Sequence, residues 1–147
     1  MTAPSPSGRP ALHWELRDLV LVAAGAVPGA LLRWRLEGLA LGPFRSEALG
    51  AELAANLVGS LLLGFVGAGR TPRPRLMLAV GIGFCGSLTT FSSWMLGVAR
   101  LLEADRPAPA LARLGVSLAA GMLAVTVGAL LGGGLSRGRR QLVRIRR

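Results

Sequence analysis

The chain has 147 residues, of which 52% are hydrophobic and 16% charged, and its mean hydropathy is +0.54. An ordinary soluble domain carries about 25% charged residues, so the composition argues for a membrane protein. All 17 basic residues are arginines, set against seven acids for a net charge of +10. They lie between apolar runs and after the last one, where lipid headgroups and topology account for them and nucleic acid does not.

Residues 1–16, with Pro4, Pro6, Gly8 and Pro10, read as a disordered leader. A cleaved secretory signal is not expected, because the apolar stretch begins only at Leu19. A transmembrane domain follows over residues 17–135, with spans predicted at about 19–34, 50–69, 76–99 and 112–134. In the first span Gly25 and Gly29 share a helical face on which another helix can approach closely. That face continues to Arg33, which is either a boundary anchor or a cation at a pore mouth.

The second span places Asn56 and Ser60 on one face. A buried amide in lipid needs a partner, so Asn56 either glues helices together or lines a water-accessible path. The third span contains VGIGFCGSLTTFSSWML from Val80 to Leu96, which is apolar but holds six Gly, Ser and Thr residues from Gly86 to Ser93. Its glycines weaken the helix, and Ser87, Thr89 and Thr90 can bond freed carbonyls, so an interruption between Gly86 and Thr89 is predicted. Carbonyls exposed there could hold a small hard cation. Phe91 and Trp94 share a face.

The fourth span carries Ser117 and Gly121, then Gly128 and Gly132, as small-residue pairs four apart. A basic tail occupies residues 136–147 and reads as a topology anchor. With four spans both termini lie on one side, which then holds 11 arginines against six on the other. The positive-inside rule therefore predicts cytoplasmic termini.

Neither the lone Cys85 nor the lone His13 suggests a metal centre, and no Ser or Thr has a His or Lys in the membrane to activate it. An enzyme is therefore not expected. No acid lies well inside a span, which disfavours proton-coupled transport. What survives is passive movement of a small polar or ionic species through an oligomer, which the glycine faces invite.

Taken together, GAVPGALLR from Gly25 to Arg33, NLVGSLLLG from Asn56 to Gly64, GFCGSLTTFSSW from Gly83 to Trp94, and the Ser117 and Gly121 pair resemble the CrcB/Fluc family of small bacterial fluoride channels. The likeness spans residues 20–132. It implies an all-α membrane protein of four transmembrane helices with a break in the third, assembled as an antiparallel dual-topology dimer in the bacterial inner membrane. The partner is a second copy or a homologous subunit, embedded in membrane lipid. By the same likeness a fluoride ion passes Asn56, Phe91, Trp94, Ser117 and Arg33. A structural sodium ion (Na+) at the dimer centre is held by the backbone carbonyls of Gly86 and Thr89.

One position departs from the family pattern: Trp94 stands where a second Phe is usual. Its indole N–H either donates to fluoride or belongs to a ring that fills one path. The unequal arginine count raises a heterodimer as an alternative to a homodimer, and a non-conducting scaffold subunit is the rival from another class. A small multidrug exporter is disfavoured, because no carboxylate lies well inside a span.

Overall fold

The computed structural model describes residues 12–39, 49–50, 52–68 and 73–145, with side chains described for 15–38, 49–50, 52–68 and 73–134. The leader expected at 1–16 lies outside the described residues as far as residue 11. Every element described is helical. Helix α1 is Leu12–Leu39 and α2 is Glu52–Gly67. Helix α3 covers residues 74–88 as an α-turn Pro74–Leu76, a wide π-helical stretch Met77–Cys85 and a closing α-turn Gly86–Leu88. Helix α4 is Ser92–Glu103 and α5 is Pro107–Ile145, which carries the chain well into the expected basic tail.

Among the described residues three stretches are long and apolar enough to cross a membrane: Glu15–Gly38, Pro74–Glu103 and Pro107–Gly134. Helix α2 is apolar too, but its 16 residues fall short of the roughly 20 of a full crossing. The outer faces suit lipid, with Leu19, Leu31, Leu118, Met122 and Leu130 all more than half exposed. The inward set is small, with Leu53, Ala55, Cys85, Leu88 and Val98 almost fully buried. Cys85 is a buried free thiol.

The helices pair closely, α1 on α3 and α2 on α5. In lipid there is no water to drive apolar faces together, so tight backbone approach must supply the packing energy. Glycine permits it. A Cβ on Gly25 would strike the Ala79 carbonyl, and one on Gly83 would strike the Val22 carbonyl. Likewise a Cβ on Gly64 would meet Val125, and one on Gly128 would meet the Leu61 carbonyl. The small-residue faces are thus used within one chain, so they no longer argue for an oligomer.

The third span is broken as expected, at the Thr89 end of the Gly86–Thr89 stretch. α3 keeps its turns through Leu88, and the chain extends at Thr89 (φ −76°, ψ 151°) before α4 starts. Glycine is a weak helix former in water, whereas in lipid each lost backbone hydrogen bond costs several kcal/mol. Gly81, Gly83 and Gly86 therefore remain helical. The break falls instead where side chains replace the lost bonds.

The α4–α5 turn closes with the Arg106 N–H on the Leu101 carbonyl (2.9 Å) and the Asp105 N–H on the Leu102 carbonyl (3.0 Å). Asp105 takes the left-handed position (φ 54°) that ends many helices. This turn returns α5 alongside α4 and brings Arg113 back to Trp94.

Gly25→Ala should lower stability by about 1–3 kcal/mol, the usual cost of overpacking. Gly115→Ala, where a Cβ meets nothing within 4 Å, should change it by less than about 1 kcal/mol. Thermal unfolding of both variants in detergent checks the contrast.

Candidate functional site

Asn56 on α2 faces the break in the third span. Its side-chain N–H donates to the Thr90 carbonyl at 3.1 Å, and its Oδ1 accepts the Thr90 N–H at 2.8 Å. One amide thus satisfies both backbone groups of a residue that has left the helix. Thr90 is buried at 7% exposure, so either group left unmet would be costly.

Thr90 in turn starts α4. Its hydroxyl accepts the Ser93 N–H at 3.3 Å and donates to the Ser93 hydroxyl at 3.2 Å, which satisfies one donor in the first turn of α4, just past its N-cap Phe91. On the other side of the break, the Thr89 N–H and the Thr89 hydroxyl both donate to the Cys85 carbonyl, each at 3.0 Å. The Ser87 hydroxyl donates back to the Gly83 carbonyl.

These bonds have a consequence for two carbonyls. In an unbroken α-helix the Thr90 N–H would go to the Gly86 carbonyl, and the Ser93 N–H to the Thr89 carbonyl. Asn56 takes the first donor and the Thr90 hydroxyl takes the second. Gly86 and Thr89 therefore lose their ordinary helical partners.

Asn56, Gly86, Thr89, Phe91, Trp94 and Ser117 all line one open concavity of about 520 Å³. The Phe91 ring is 70% exposed and meets Trp94 edge-on, with centroids 5.6 Å apart and planes at 68°. Ser117 contributes a buried hydroxyl oxygen with no hydrogen-bond partner. Such an orphan is unusual in a native structure. The concavity thus offers an amide, a hydroxyl and ring edges, all neutral.

Two expected residues stand differently. Arg33 lies on α1, outside this concavity, 4.0 Å from Glu37 one turn along. Trp94 is buried at 8% exposure, and its indole N–H donates to the Arg113 carbonyl at 3.4 Å.

The sequence reading passed over Glu52 and Arg113. Arg113 donates through Nε (3.1 Å) and Nη2 (2.6 Å) to Glu52 Oε1, in a pair whose side chains are 11% and 6% exposed. A signal existed. Glu52 is four residues before Asn56, and Arg113 four before Ser117, so each shares a helical face with a path candidate. Among the described residues no cluster of His, Cys, Asp or Glu could hold a metal ion.

Comparison with known proteins gives a consistent result. The profile of the family described as CrcB-like protein, Camphor Resistance (CrcB), matches residues 20–129. A Synechococcus sp. protein named fluoride-specific ion channel FluC 2 is 48% identical over 127 residues, covering 86% of this chain and 89% of that protein. The protein of the same name from Parasynechococcus marenigrum is 48% identical, covering 82% and 85%. The fluoride-specific ion channel FluC of Stutzerimonas stutzeri is 40% identical, covering 79% and 97%.

Replacing Asn56 by Leu should cost about 1–3 kcal/mol, because it strands both Thr90 backbone groups. Thermal unfolding in detergent reads the loss, and faster amide exchange at Thr90 assigns it to the break.

Proposed function

The chain belongs to the CrcB-like protein family, and from that premise we propose that it is a fluoride-selective channel. It gives passive efflux of cytoplasmic fluoride and so confers fluoride resistance. It is a multi-pass protein of the bacterial inner membrane and makes or breaks no covalent bond. The observation that carries this reading is the match to fluoride channels along most of the chain.

The concavity supports the reading chemically. Fluoride is small and strongly hydrated, so a dry path must replace water with several weak donors without trapping the ion. The Asn56 amide keeps one N–H beyond its bond to Thr90. The Ser117 hydroxyl has no partner, and an aromatic ring edge is electropositive. The positive end of the α4 dipole also lies beside Phe91. Asn56, Phe91, Ser117 and the Trp94 ring are accordingly the path residues of this proposal. Arg33 contributes only long-range charge at a mouth.

Assembly is part of the proposal: two copies, or this chain and a homologue, pair antiparallel. An exposed Phe91 and an open-sided concavity favour a path that needs a second subunit to close it. A structural sodium ion would sit between the subunits on the carbonyls of Gly86 and Thr89. The fit rests on the two diverted helical donors, since a hard cation takes oxygen ligands and the C-terminal end of α3 is partially negative. When bound, the ion would neutralise those dipoles and tie the subunits together.

The purified chain, reconstituted alone, should release fluoride from liposomes in preference to chloride. Phe91→Leu should cut that flux at least about tenfold, the worth of ~1.4 kcal/mol. Intact protein without flux would point to an obligatory heterodimer or a scaffold, and full flux in Phe91→Leu would remove Phe91 from the path.

A further inference from the structure

The Glu52–Arg113 pair lies one helical turn from the path. Glu52 shares a face of α2 with Asn56, and Arg113 shares a face of α5 with Ser117. The guanidinium occupies a built slot: a Cβ on Gly50 or Gly97 would run into it, and Gly50 has the positive φ (+73°) that glycine tolerates. The Trp94 N–H on the Arg113 carbonyl ties the slot to the path-lining ring.

Beyond the pair a second cavity of about 580 Å³ opens, lined by Glu52, Ser93, Arg100, Arg106 and Arg113 as well as by Glu37. Among the described residues its lining carries three cations and two acids. Ser93 lines this cavity while its neighbour Trp94 lines the first, so the start of α4 stands between the two. Arg113 lines the second cavity and lies four residues before Ser117 on α5, so an anion route continuing from Ser117 toward this end would run within its field.

A bare guanidinium at that point would hold an anion too strongly. With a tightly bound carboxylate it attracts only weakly. We propose that Glu52 sets the charge of the anion route by cancelling Arg113, so that the second cavity serves as a vestibule that draws the ion in without retaining it. This rests on the fluoride-path reading above. Glu52 and Arg113 act through their field and need not touch the ion.

Opposite signs distinguish this role from a purely structural one. Glu52→Gln removes one negative charge beside Arg113, and the fluoride concentration for half-maximal efflux from liposomes should fall about tenfold. Arg113→Gln leaves an uncompensated carboxylate, and that concentration should rise about tenfold. The size follows from a unit charge about 10 Å from the ion at intermediate dielectric. Arg113→Lys and the double variant Glu52→Gln with Arg113→Gln should both stay within about twofold of the unmodified chain.

Shifts in the same direction from both single variants, or no shift in either, would overturn the proposal. Should neither single variant fold, Arg100→Gln decides, because Arg100 is an exposed cation in the same cavity. Its removal should raise the half-maximal concentration about twofold, and an unchanged value would count against the vestibule. An unmodified chain that folds but passes no fluoride defeats the channel reading itself, a result separate from any of these.

Discussion

A single side-chain amide takes the place of a helical turn in this protein. Inside lipid a chain can leave a helix only if something else satisfies its backbone. Asn56 does so for both polar groups of Thr90. Much else depends on that bond pair: the end of α3, the start of α4, and the freeing of the Gly86 and Thr89 carbonyls from their helical donors. It also anchors α2 against the break, which places Asn56, Phe91 and Ser117 around one concavity.

The same economy appears in the charges. The concavity itself holds neutral groups, while the nearest full charges are locked together one turn away. A buried ion pair gains little stability over an apolar pair of similar volume. Keeping one here makes sense if a cation is useful near an anion route and dangerous when unbalanced. The two glycines that make room for the guanidinium show that the backbone is shaped around it.

How much of this was legible in the sequence varied with the range of the interaction. The small-residue faces at Gly25, Gly29, Gly128 and Gly132 follow from helical spacing alone, because close packing needs small residues at fixed intervals. Their use within the chain does not follow, since spacing names a face and not its partner. Asn56 was recognisable as an amide needing a partner, but Thr90 lies 34 residues away. The break was expected between Gly86 and Thr89 and lies at the Thr89 end of that stretch, because in lipid the position of substitute hydrogen bonds outweighs helix propensity. Glu52 and Arg113 were not among the expected site residues, and only the fold, which brings the start of α2 against α5, shows them as a buried pair.

The central claim is that Asn56 holds the break open and so makes carbonyls available to a cation. Thermal unfolding in detergent, with sodium exchanged for N-methylglucamine, tests it in the unmodified chain and in Asn56→Ala. The account predicts that sodium stabilises the unmodified protein and that Asn56→Ala loses the effect, because the break that exposes the Gly86 and Thr89 carbonyls is no longer held in place. Equal stabilisation of both proteins by sodium, or of neither, would contradict it.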